Sequence, residues 1–206
     1  MRKAILAATL VLCLAGLGMA QSRDDKYEVF AGFSIDSIDT GLGNSGVTGG
    51  QNRDTGLGFE TSGTGFFWNK LGIEGDFDGH FKGKTFTSPS GATTTTTTLS
   101  TFNFLVGPHY RFSSSGKVTP FVHALVGGNH SSLHNAFFLT GVGGSENDLA
   151  MKVGGGVDIG WTKRTAFRLG ADYNPVFQKS DGDLNPDFGS RRTRNDAIFS
   201  VGIVFK

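Results

Sequence analysis

Two residues, His130 and Ser132, lie two positions apart in the stretch Gly128-Asn129-His130-Ser131-Ser132. A serine hydroxyl becomes a useful nucleophile when an imidazole takes its proton and a carboxylate orients that imidazole. Glu146, or Asp148 two residues further on, formally supplies the acid, and the chemistry would be hydrolysis of an ester. A two-residue match in a polar segment carries little specificity. The chain is therefore read as a non-enzyme, with the esterase kept as an alternative. His134 follows His130 at a spacing that gathers metal ligands only on a helix, and this segment has no helical pattern, so no metal is assigned. Gly154-Gly155-Gly156 opens no helix that could hold a phosphate, and three glycines within an alternating segment suit a tight sheet wall instead. No cofactor is expected.

A second set of residues is larger and more regular. Glu28, Glu74, Asp76, Asp158 and Asp172 fall on the polar parity of alternating segments, together with Arg111, Lys152 and Arg168. Lys152 and Arg168 are mid-segment, with glycines two residues away. Opposite charges on one parity, with small residues making room for long ones, fit a narrow enclosed interior. Such charges form either a small ion pathway or a salt-bridged plug. The plug is favoured, because both bulk and pairing close a lumen as narrow as eight strands make.

These residues need strands to position them, and the chain supplies eight. Alternation with period two runs through Tyr27–Ile35, Thr55–Trp68, Leu71–Phe81, Leu99–Phe112, Val118–Asn129, Asp148–Trp161, Thr165–Val176 and Asp196–Phe205. The glycines of the second strand make a bulge plausible there. The fifth strand is fairly apolar on both parities, so its inward face stays open. Links alternate in length. Tight ones lie at Asn69-Lys70, 113–117 and 162–164; long polar ones lie at 36–54, 82–98, 131–147 and 178–194. The six-threonine run Thr93–Thr98 is read as part of a loop tip.

The address comes from the N-terminus and the composition. Residues 1–20 read as a secretory signal peptide: Arg2 and Lys3, an apolar run from Ala4 to Leu17, then Gly18 and Ala20 before the cut. The mature domain is then 21–206, and it lacks the single cysteine, Cys13, so neither disulfide nor thiol chemistry is expected. Losing Arg2 and Lys3 takes the net charge from +1 to −1, which leaves no basic excess for nucleic acid. Past the signal no apolar run is long enough for a spanning helix, which needs about 20 residues. A chain that crosses a membrane without such helices must close a barrel.

Which face meets lipid is decided by the two parities. In a soluble barrel the apolar parity would fill the core; in a membrane barrel it faces outward. The charged parity cannot all face water at strand ends, because much of it is mid-strand. Tyr27, Trp68, Tyr110, Phe112, Trp161, Phe167 and Phe205 gather at the ends nearest the tight turns, where a membrane interface favours aromatic rings. The expectation is an all-β, eight-stranded antiparallel up-and-down transmembrane β-barrel in an outer membrane.

Four stretches carry a family resemblance: YEVFAGFS (Tyr27–Ser34), LGIEGDF (Leu71–Phe77), FLVGPHYRF with GKVTPFVHALVGG (Phe104–Gly128), and FSVGIVF (Phe199–Phe205). With these the chain resembles the small outer membrane protein β-barrel family, including the transmembrane domain of outer membrane protein A and opacity-type surface antigens. The close resembles the carboxy-terminal signal read by the barrel assembly machinery, but ends in Lys206 where that signal usually has an aromatic. The resemblance implies periplasmic termini, outer-membrane lipid and the assembly machinery as partners, and an extracellular ligand for the four long loops. It implies a structural or surface-interaction role. Some eight-stranded outer-membrane enzymes that deacylate lipid A carry a His-x-Ser pair, which makes a lipid A-modifying hydrolase one alternative; in them an asparagine usually follows the serine, where this chain has Leu133. A small channel or porin is the other.

Overall fold

A computed structural model describes residues 26–39, 53–87, 94–113, 117–135, 144–179 and 192–206. The proposed signal segment, 1–20, lies outside the described residues. The eight strands are β1 (Tyr27–Asp39), β2 (Arg53–Phe66), β3 (Leu71–Thr87), β4 (Thr94–Arg111), β5 (Val118–Asn135), β6 (Gly144–Gly160), β7 (Thr165–Gln178) and β8 (Arg192–Phe205). Each pairs antiparallel with its sequence neighbours, and β1 pairs with β8 to close the barrel. Closure leaves no unpaired edge, so every strand can satisfy its backbone within the wall.

The alternating pattern sets which side chains go where. Phe33, Phe104, Phe199 and Val201 are exposed on the outer wall, Phe33 at 79%. Their neighbours one residue away turn inward and are buried. The exposed apolar residues form a continuous band around the barrel, as a lipid-facing wall requires. At the turn end the rings pair: Phe67 with Trp68, Tyr110 with Phe112, and Trp161 with Phe167, at centroid distances of 5.1, 5.2 and 5.1 Å.

The tight links are held by their own hydrogen bonds. Phe67 N and Trp68 N both donate to Leu71 O at 3.2 Å. Thr162 Oγ1 accepts from Arg164 N at 3.2 Å and Thr165 N at 3.1 Å, a hydroxyl-closed turn.

Three sequence expectations are corrected. The strands run further into the polar segments than alternation of apolar residues shows, so the long links shrink to 40–52, 88–93, 136–143 and 179–191. Most of the threonine run is strand: Thr94 to Thr98 pair with Thr87 to Gly83. Threonine is β-branched and at ease in extended backbone, so low complexity there does not mean loop. The second strand carries no bulge, since its register with β1 is unbroken from Tyr27↔Gly65 to Asp39↔Arg53. The open question of β5 is settled by pairing. His109 faces inward from β4 and is the register partner of His123, so His123, Phe121 and Leu125 face inward as well.

Candidate functional site

The lumen is the one place where the fold concentrates ionisable groups. All eight charged residues read from the sequence as interior are buried there: Glu28, Glu74, Asp76, Arg111, Lys152, Asp158, Arg168 and Asp172. They are brought together in tiers.

At the turn end, Glu28 is the hub. Arg111 Nη1 donates to its Oε1 at 2.9 Å and Arg168 Nη2 to its Oε2 at 3.4 Å, while Lys206 Nζ lies 3.5 Å from Oε1. Arg168 also forks onto Asp158, with Nε to Oδ1 at 2.7 Å and Nη2 to Oδ2 at 3.0 Å. The forked geometry matches guanidinium to carboxylate. Both guanidinium groups lie against inward rings, Arg111 over Phe66 at 3.9 Å and Arg168 over Phe121 at 4.2 Å.

The next tier holds Glu74, His109, His123 and Asp172. Glu74 Oε2 is 2.8 Å from His109 Nδ1 and 2.8 Å from His123 Nδ1. His123 Nε2 is 2.9 Å from Asp172 Oδ1. Two glycines make these reaches possible. Glu74 is the register partner of Gly107, and Gly154 is the register partner of both His123 and Asp172. A Cβ on Gly154 would stand 2.0 Å from Asp172 Oδ1. Glycine at 154 is therefore what lets side chains two strands apart touch.

Beyond it, Lys152 donates to Asp76 Oδ1 and Asp78 Oδ2, each at 2.6 Å, with Glu60 Oε1 at 3.9 Å. Lys152 is fully buried, and only such pairing makes that tolerable. An amide tier follows: Asn103 Nδ2 donates to Asp78 Oδ1 at 2.8 Å, and Asn129 Nδ2 donates to Asn103 Oδ1 at 2.7 Å. Toward the loop end, His80 lies 3.3 Å from Asp78 and 3.9 Å from Asp36, and Arg194 Nε donates to Asp196 Oδ2 at 2.7 Å. Buried apolar residues pack in two clusters, Leu105, Leu125, Ala150 and Val176 in one and Phe30, Ala166 and Val204 in the other.

The His130, Ser132 and Glu146 constellation is placed differently. His130 and Ser132 lie on β5 itself, both on its outward parity, while Glu146 is buried on the inward parity of β6. His130 Nδ1 sits 2.7 Å from Asn147 Oδ1, its own register partner, and Asp148 is inward like Glu146. Period two separates the acids from the imidazole by the thickness of the wall, so the structure does not assemble the three.

Several residues of the network escape a reading of charge on alternating parity. His123 lies among apolar residues in a strand with no clear face, and only its pairing opposite His109 assigns it. Glu60, Asp78, His80 and His109 do lie on the polar parity of their strands. Their importance is in their partners, which parity alone does not give.

Comparisons with known proteins agree with this geometry. The model of the outer membrane protein β-barrel domain family matches residues 5–205. No curated protein matches the sequence. Among solved structures, Neisserial surface protein A (NspA) is 17% identical with a TM-score of 0.61, over 88% of this chain and 97% of that one. Ail, the attachment invasion locus protein of Yersinia pestis, is 16% identical with a TM-score of 0.55, over 87% of this chain and 96% of that one.

Proposed function

We propose that this chain, which belongs to the outer membrane protein β-barrel domain family, serves the outer membrane as a closed barrel with a structural or surface-interaction role. The observation that supports a closed lumen is Lys152 held at 2.6 Å from two carboxylates across the barrel, between tiers of buried pairs and packed apolar side chains. An ion crossing the barrel would have to displace those partners one tier after another. The outer surface contacts membrane lipid, the barrel assembly machinery inserts the chain, and a signal peptide at 1–20 exports it. The tight turns and both ends of the barrel face the periplasm. The four longer links, within 36–54, 82–98, 131–147 and 178–194, face outward and offer a surface for an extracellular ligand.

A liposome-swelling assay tests the closed lumen. Vesicles carrying the folded protein are expected to show no osmotic uptake of small sugars above protein-free vesicles, and uptake at the rate of a porin would overturn the proposal.

A further inference from the structure

The tier formed by Glu74, His109, His123 and Asp172 contains a contact that a neutral imidazole leaves incomplete. A neutral imidazole donates from one ring nitrogen only. His123 presents both nitrogens to carboxylates, Nδ1 to Glu74 at 2.8 Å and Nε2 to Asp172 at 2.9 Å. One of these contacts therefore needs a second proton or another cation. The same Glu74 oxygen also receives His109 Nδ1, and the other nitrogen of His109, fully buried, has no hydrogen-bond partner.

The surroundings favour a cation as well. Among the described residues, eleven carboxyl side chains are buried against four Arg or Lys heads. Buried carboxylates are costly without positive charge nearby, so an interior that holds more carboxyl side chains than Arg and Lys heads gains from a cation that fits.

We infer that Glu74, His109 and His123 form a binding site for a divalent transition-metal ion of the zinc type. The donors are both Nδ1 atoms and one carboxylate oxygen, which lie within 4.8 Å of one another. Each Nδ1 now lies 2.8 Å from Glu74 Oε2, and rotation of the Glu74 carboxylate away from the two rings opens the space between the three donors that an ion needs at the metal–ligand distances of about 2.0–2.2 Å that zinc uses with histidine and carboxylate. Asp172 stands behind His123 as a carboxylate that accepts the Nε2 proton, which fixes the ring with its Nδ1 lone pair toward the ion. Two imidazoles and a single carboxylate suit zinc or cobalt and are a poor site for calcium or magnesium, which require several oxygens. Gly107 and Gly154 keep the cross-strand reaches open. The site is enclosed, so loading is expected during folding of the barrel around the ion.

The test uses the untagged protein refolded into detergent micelles after chelator treatment, with Zn2+ or Co2+ present or absent. One ion per folded barrel is expected, with a Co2+ visible spectrum of low coordination number, and no displacement by excess Mg2+ or Ca2+. His109→Ala and His123→Ala should each weaken retention at least roughly tenfold, and Asp172→Asn by roughly 10–100-fold. His130→Ala, which removes a histidine on the outward parity of β5, should leave it unchanged. If the histidine variants fail to fold, NMR of the imidazole nitrogens in the wild type decides: Zn2+ should shift two buried imidazoles through Nδ1. A wild-type barrel that folds with no bound ion, or binding undiminished in the His109→Ala, His123→Ala double variant, would overturn the inference.

Discussion

Lys152 shows how much of this molecule rests on single buried contacts. Its ammonium donates to Asp76 and Asp78 at 2.6 Å inside the wall, and removing it leaves both carboxylates buried without it. Lys152→Met should destabilise the folded barrel by about 3–5 kcal/mol, the range for breaking a buried pair, measured as the midpoint of urea unfolding from vesicles. A shift of under about 1 kcal/mol would mean that the network contributes little. The residue scale also bears on hydrolysis. With Glu146 and Asp148 on the other side of the wall from His130, neither orients that imidazole toward Ser132. The folded protein is expected to release no fatty acid from lipid A, and Ser132→Ala to behave as the parent; release that Ser132→Ala abolishes would revive the esterase.

Among the strands, the lipid-facing band carries the most direct prediction. Phe104 is exposed within that band, stacked on Phe77 at 4.6 Å. Phe104→Arg places a charge against hydrocarbon and should cost about 2–4 kcal/mol of membrane-folded stability, while Phe104→Leu should be nearly neutral; equal effects of the two would argue that this face does not meet lipid. The element scale is also where the sequence was most and least informative. Alternation marked all eight strands and which way most of them face, because one buried face makes register visible in residue type. Strand ends were not legible, since Gly, Ser and Thr obey no apolar alternation; β3 and β4 continue through Thr87 and Thr94 on backbone pairing alone. Nor was β5, where Phe121 and Leu125 turn inward although the interior is mostly polar. Phe121 has room because its register partner is Gly156, and its ring lies under the Arg168 guanidinium and stacks on His109 at 4.9 Å. An inward aromatic of this kind looks like an outward one until its cross-strand neighbours are known. The candidate site divides the same way. Its charged members were readable one by one, whereas the partnership of Glu74 with two histidines depends on three strands and two glycines.

As a whole, the molecule is a closed wall with an apolar exterior and an interior of paired charge, a fold it shares with NspA and Ail. Its outer wall is apolar, and its interior carries the paired charges. The interior pairs also bind strands distant in sequence: Arg111 of β4 and Arg168 of β7 meet on Glu28 of β1, so they brace the cylinder across its width. The most direct test of the closed barrel is single-channel recording in planar bilayers with the folded protein. No conductance steps are expected at any voltage that the bilayer withstands. Reproducible steps of open-pore size from the wild-type barrel would contradict the account.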